Sequence, residues 1–509
     1  RGLVPLAAGG LAAVAAAGAG AGFRAVEVPD QVGQTDDDAY VAALPTFEQN
    51  DAGRGFRAAA EQFGRVSGLP VVRPGVRPMR MAERVEQIYR GGNPADDKEL
   101  GEWVAAVYDM DRAPAALAPP VFGKGPPHET WYMAAAAAAD PALAVGLFDH
   151  PLLTRSTAGT PTLETGRAMA VVMLGHGLLQ QADGDPAALP DDLRTALAVA
   201  RSMRNGSITA SLHKGNELTV LATATATRWL TRLGDDRPDL VREVLDEILR
   251  DERAVMTRVL PGGTVARAET PATGWGEPFD AVPHQQADRF VVREQMKAPT
   301  MWLPGLVTPP GRDRDAPNPE VDVVAFAWSV PWERERTRRL VAFGLDPAHA
   351  DAYRRLTRGR PGAGLATVRP AAPGELAAAD QFVRACRRGL LVQLAARLYR
   401  RDRGAFPPDL PALVAAGFLP AVPPDPYSPT GEPLRYRVPA TDETLAPHPA
   451  PGGARPVSPP AEVKAGQPVT WSIGPDGLDD GGRSHPVVHN APSRAVDLVF
   501  LVPLPPTAP

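Results

Sequence analysis

Apolar residues recur three and four positions apart along most of this chain, a spacing that predicts amphipathic helices. Between 36 and 68 the pattern reads AYVAALPTF, a polar break, then GRGFRAAAEQFGRV, with Phe56, Ala60, Phe63 and Val66 on one face. The style continues over 78–117, through MRMAERVEQIYRGG and ELGEWVAAVYDM. The strongest block spans 162–257. Thr162 is placed to cap its first helix, LETGRAMAVVMLGHGLLQQA. Pro190 sits in the first turn of the second, and Gly206 is its expected C-cap. A third helix is predicted over 208–233, and Asp236-Arg237-Pro238-Asp239 opens a fourth. Such short connections make successive helices antiparallel neighbours. No strict repeat period accompanies them, so a solenoid is not indicated.

Residues 262–330 are less regular. VDVVAFAWSV (321–330) reads as a buried strand or a short apolar helix, and Pro331 starts another helix. From Gly374 to about Arg403 one long helix is predicted, with Leu376, Val383, Cys386, Leu390, Leu394 and Leu398 on one side. Arg384, Arg387, Arg388, Arg397, Arg400 and Arg401 fall on the other. Such a row reads as a solvated face rather than a polyanion-binding stripe, because no aromatic residues interleave it. The period then changes. A short helix, DLPALVAAG, ends at Gly417; Asp425-Pro426 and Thr430-Gly431 are turns; Leu434, Tyr436 and Val438 alternate as a strand. A Pro-rich excursion over 439–468 leads to a second strand, VTWSI, and AVDLVFLV (495–502) reads as the last.

The expected fold is therefore mainly α, a multi-helix body of antiparallel helices, with a small C-terminal α+β domain. The chain divides into an anchor or signal segment (1–23), a helical domain (24–260), a Pro/Gly-rich connecting region with short helices (261–373), and a long helix with a small β-sheet tail (374–509). Composition changes this little. With 44% hydrophobic and 22% charged residues the chain is an ordinary folded protein, and its net charge of -5 gives no argument for nucleic acid. The 57 prolines and 48 glycines explain the long irregular segments. One cysteine, Cys386, rules out an intrachain disulfide and reads as a small core residue. Residues 2–23 carry no charge and lie between Arg1 and Arg24, as a membrane anchor or a signal peptide with an Ala19-Gly20-Ala21 cleavage site. Either reading puts the body outside the cytoplasm, on the periplasmic side, secreted or anchored to the inner membrane.

Several tail motifs recur in a known order: Phe406-Pro407, Leu410, Leu413, Gly417-Phe418-Leu419, Pro424-Asp425-Pro426, Gly431, Pro433 and Tyr436, then Ser472, Gly474 and Asp476-Gly477. This order, over about 380–500, resembles the C-terminal domain of the major pseudopilin of type II secretion systems. The resemblance implies a calcium-binding acidic loop. No prepilin-type cleavage motif precedes the N-terminal apolar run, so an assembling pseudopilin is not expected. Over its whole length the chain resembles a family of uncharacterised exported bacterial proteins, which implies export but no particular activity.

The acidic loop, WSIGPDGLDDGG (471–482), places Asp476, Asp479 and Asp480 within five residues, with Ser472 and nearby carbonyls as further oxygens. Calcium takes six to eight oxygens on a flexible Gly-rich loop. The alternative is a plain turn in which the aspartates bond nearby amides. A second chemistry uses His485, His489 and Asp497 with Asp479 and Asp480 as a metal-dependent hydrolase centre. His176 and His213, alone on helices, are expected to be structural. The expected function is a non-enzymatic, membrane-anchored scaffold or binding protein of the cell envelope, with envelope proteins as partners and calcium in the acidic loop.

Overall fold

The computed structural model describes residues 41–42, 44, 50–67, 131–140, 148, 161–205, 208–253, 258–260, 264–266, 275, 279, 281–295, 373–445, 461–483 and 497–504. The described part is mostly helical, as the periodicity predicts. Helices α1 (Asp51–Ser67) and α2 (Trp131–Ala138) precede four consecutive helices: α3 (Pro161–Ala182), α4 (Ala188–Arg204), α5 (Thr209–Arg232) and α6 (Pro238–Arg253). A two-strand ladder follows, β1 (Arg258–Leu260) with β2 (Thr264–Ala266), then α7 (Val282–Gln295). The long helix α8 (Pro373–Arg403) leads to the short α9 (Leu410–Ala415). The strands β3 (Arg435–Arg437), β4 (Glu443–Leu445), β5 (Ala461–Val463), β6 (Val469–Ser472) and β7 (Leu498–Leu501) complete the described elements. The segments read as helices over 78–117 and after Pro331, and the apolar run 321–330, lie outside the described residues.

Local signals account for most boundaries. Phe56, Ala60 and Phe63 of α1 are buried together, as their shared face predicts. Ile208 and Leu233 flank α5 in extended conformation. Thr162 falls inside the first turn of α3 rather than capping it, and Pro190 is the third residue of α4. Asp409 caps α9 by accepting the Ala412 N–H at 2.9 Å. Gly417, at φ +77°, then turns the chain in a conformation that side chains resist.

α3, α4 and α5 pack successively, and α1 lies on α2 and α3. α6 packs on α4 and α8 instead of its sequence neighbour α5, because α8 takes the place beside α5. Trp229, the largest fully buried side chain, satisfies its ring N–H on the Pro186 carbonyl at 3.0 Å. One apolar cluster runs from Phe56 through Met173, Leu197, Trp229 and Ile248 to Leu391, Leu394, Leu413 and Leu434. The core is therefore continuous across the expected boundary between helical body and tail.

α8 makes that continuity. One side of it packs on α5 and α6, and another carries the sheet. The sheet is antiparallel in the order β3-β6-β7, with Tyr436 opposite Thr470 and Phe500 opposite Thr470 on the other side. Gly389 lets the sheet approach α8: a Cβ there would stand 2.4 Å from the Phe500 ring. Gln393 accepts from Thr227 of α5 and donates to the Leu501 carbonyl of β7 at 2.6 Å, tying body to sheet. Two ladders escaped the apolar pattern, β1 with β2 and β4 with β5. Their three-residue strands are too short for alternation to register. No helix among the described residues is long and apolar enough to cross a membrane, and the segment 2–23 lies outside them.

Candidate functional site

Two clusters of charged side chains hold the chemistry the sequence suggested. The first lies along the arginine row of α8, of which Arg401 is solvated as expected but the part facing the body is not. Arg387, Arg388 and Arg397 are buried. α6 ends in Asp251-Glu252, both fully buried, and α8 brings arginines to them. Arg387 Nη1 donates to Asp251 Oδ2 at 2.6 Å. Arg388 Nε donates to Glu252 Oε1 at 2.8 Å, and its Nη1 reaches the Pro424 carbonyl at 2.8 Å. From α4, Arg204 Nη2 meets both oxygens of Asp251 at 2.8 and 3.0 Å, and Arg201 Nη1 meets Oδ1 at 3.2 Å.

Burial would push both carboxyl groups toward the neutral form, yet the surrounding guanidiniums hold each below its ordinary pKa. Desolvation lowers Arg204 to about 10, against the attraction of Asp251. Arg397 closes the far end of α8. It donates to the Leu230 and Leu233 carbonyls of α5, to the Pro503 carbonyl, and to Asp235. The sequence hid this because six arginines on one helix face look solvated until another helix supplies buried acids. The available signal was the DER run at 251–253, on a chain that also carries Arg387-Arg388.

The second cluster is the acidic loop between β6 and β7. Gly474, Gly477, Gly481 and Gly482 all take positive φ and fold it tightly. Asp476 Oδ1 accepts the Leu478 N–H at 3.1 Å, an ordinary Asx turn. Asp479 Oδ1 accepts from the Trp471 ring N–H and the Gly481 N–H, each at 2.9 Å, while Oδ2 faces Arg435 Nε at 3.3 Å. Ser472 is buried; its hydroxyl donates to Asp425 Oδ1 at 2.6 Å and accepts the Gly474 N–H at 3.4 Å. Asp425 also accepts the Ile473 N–H at 2.9 Å and the Tyr427 N–H at 3.0 Å. The Pro424-Asp425-Pro426 turn is thereby stapled to the end of β6. Of the four expected metal ligands, Ser472 and Asp479 are thus already committed to the fold, and Asp480 stands exposed.

Asp497, at the start of β7, is the residue the calcium reading missed. Its side chain is fully buried beneath the loop, and Oδ2 accepts the Gly482 N–H at 2.8 Å. Among the described residues Oδ1 is buried with no well-aligned hydrogen bond, though the Asp480 amide acts on the carboxyl. Burial raises its pKa to about 6, the Gly482 and Asp480 amides oppose that, and the charges of Asp479 and Asp480 add to the rise. The sequence grouped Asp497 with Asp479 and Asp480 only as part of a hydrolase centre.

Among the described residues, no three His, Cys, Asp or Glu side chains form a group that could hold a metal. His485 and His489 lie outside the described residues. His176 pairs with Asp192 at 2.8 Å between α3 and α4, and His213 is exposed. Burial raises the Cys386 thiol to about 12, which keeps it protonated and unreactive. Compared with known proteins, the chain matches no family model, and no curated protein or solved structure matches it.

Proposed function

We propose that this chain is a non-enzymatic scaffold or binding protein of the cell envelope, anchored through 2–23, with a pseudopilin-like tail stapled by calcium. Envelope proteins would be its partners, and its body would lie on the extracytoplasmic side. The observation that carries this reading is the buried Asp497 carboxylate, with one oxygen lacking a well-aligned donor among the described residues and the charges of Asp479 and Asp480 acting on it. A carboxylate so placed is unfavourable by itself and favourable beside a cation. Asp497 and Asp480 would hold calcium together with loop carbonyls, since calcium accepts carbonyl oxygen readily. The bound ion would neutralise the loop and fix it over β6 and β7.

The tail motifs support the same reading. Asp425 and Ser472 both belong to the motif order that resembles the major pseudopilin, and they bond to each other. The scaffold part rests on how polar side chains are used. Asp425, Asp479, Arg387, Arg388 and Arg397 each hold two or more elements together rather than facing a common cleft.

The test is thermal unfolding of the whole chain in calcium and then in chelator. Calcium should raise the midpoint, because a ligand that binds only the folded state stabilises it with concentration. Asp480→Ala and Asp497→Asn should each remove that shift. Equal midpoints in calcium and chelator would remove the calcium staple.

A further inference from the structure

The layer between α4, α6 and α8 is not balanced in charge. Arg201, Arg204, Arg387 and Arg388 have side chains only 11%, 7%, 4% and 5% exposed, and they face two carboxylates, Asp251 and Glu252. Arg384 and Asp380 pair beside them. Among the described residues four arginines thus face these two carboxylates, with Asp380 the next nearest anion, where water is largely excluded, an arrangement that costs free energy until a further anion compensates it. Donors are also left over. Arg204 Nε is buried without an acceptor. Arg387 Nε lies 2.9 Å from Glu252 Oε2 but its N–H is not aimed at that oxygen. Arg388, by contrast, is fully used by Glu252, the Pro424 carbonyl and the face of Trp275.

Two of the unsatisfied groups lie toward one corner, near the start of α5, where Asp288 accepts the Thr209 N–H at 2.9 Å. The Arg204 stem lies across Gly215 of α5, where an added Cβ would stand 2.6 Å from Arg204 Cγ. Ser211 lies one turn earlier on the same helix face, buried, with its hydroxyl unpartnered. Arg201, the most exposed of the four arginines, marks the side open to solvent. A water molecule could satisfy the donors but not the charge.

We propose that this corner, between the end of α4 and the first turns of α5, binds a small oxyanion such as inorganic phosphate or sulfate on Arg201, Arg204 and Ser211. Arg201 and Arg204 then bridge the anion and Asp251, and the buried layer reaches balance. The site is separate from the acidic loop and does not depend on calcium there.

The test is thermal unfolding of the whole chain in chelator, with millimolar phosphate against sodium chloride at matched ionic strength. Phosphate should raise the midpoint progressively, and sulfate likewise. Arg201→Gln, at the least buried arginine, should weaken the apparent affinity about tenfold, the effect of one lost charged hydrogen bond. Ser211→Ala should fold as well as the parent without phosphate and respond less to it. Equal midpoints in phosphate and chloride would overturn the proposal. So would an undiminished response in both variants, which is how general salt exclusion behaves. Phenyl phosphate should give little shift, and a response equal to that of phosphate would contradict an enclosed site.

Discussion

The layer under α8 and the region beneath the acidic loop both hold carboxylates away from water, with opposite consequences. Under α8, Asp251 and Glu252 are ringed by arginines and their pKa values fall. In the loop, Asp497 has like charges for neighbours and its pKa rises to about 6. Burial acts on all three in the same direction. What differs is the sign of the nearest charge, so compensation rather than depth decides whether a buried acid locks a fold or strains it.

The largest effect should come from breaking the compensated side. Asp251→Asn leaves Arg201, Arg204 and Arg387 without their shared anion and should cost about 3–5 kcal/mol, measured by urea unfolding. A cost below about 1 kcal/mol would mean that the arginines relax into solvent and that the layer is no lock. The uncompensated side should respond oppositely. Asp497→Asn keeps an acceptor for the Gly482 N–H but removes the strained charge. Without calcium it should stabilise the chain at pH 7.5 by up to about 3 kcal/mol.

The pH dependence separates the two regions. A raised carboxyl pKa means that the folded state holds more protons than the unfolded one between about pH 4 and 6, so Asp497 favours folding as pH falls through that window. Asp251 and Glu252 have lowered values. Their contribution is complete above the ordinary carboxylate range and is lost as pH falls below it. Stability of the parent without calcium should therefore rise on acidification toward pH 5 and decline below about pH 4, while Asp497→Asn should lack the rise. A smaller check concerns the tail. Asp409→Ala removes the cap of α9 and should cost about 1 kcal/mol.

The two regions also differ in how far they could be read from sequence. The helices of the body and α8 were legible because apolar spacing is local. α5, expected over 208–233, forms at Thr209–Arg232. The strands of the central sheet were legible for the same reason. The layer under α8 was not, since it depends on residues far apart in the chain, and Asp497 was grouped with Asp479 and Asp480 only as part of a hydrolase centre. Arg387 meets Asp251 across a separation of 136 residues, and Asp497 reaches the Gly482 amide from a strand beyond the loop. Ser472 shows the converse: expected as a metal ligand, its hydroxyl instead donates to Asp425 and accepts the Gly474 N–H. Contacts within a helix are written in its period, whereas contacts between elements are written only in the packing.

The measurement that bears most directly on the calcium staple is the titration of the Asp497 side-chain carboxyl by carbon-detected NMR, with and without calcium. The account predicts a midpoint near 6 without calcium and a carboxylate that stays ionised down to pH 4 with it. A midpoint near 4 in both conditions would contradict the strained carboxylate. A midpoint near 6 that calcium leaves in place would contradict the staple.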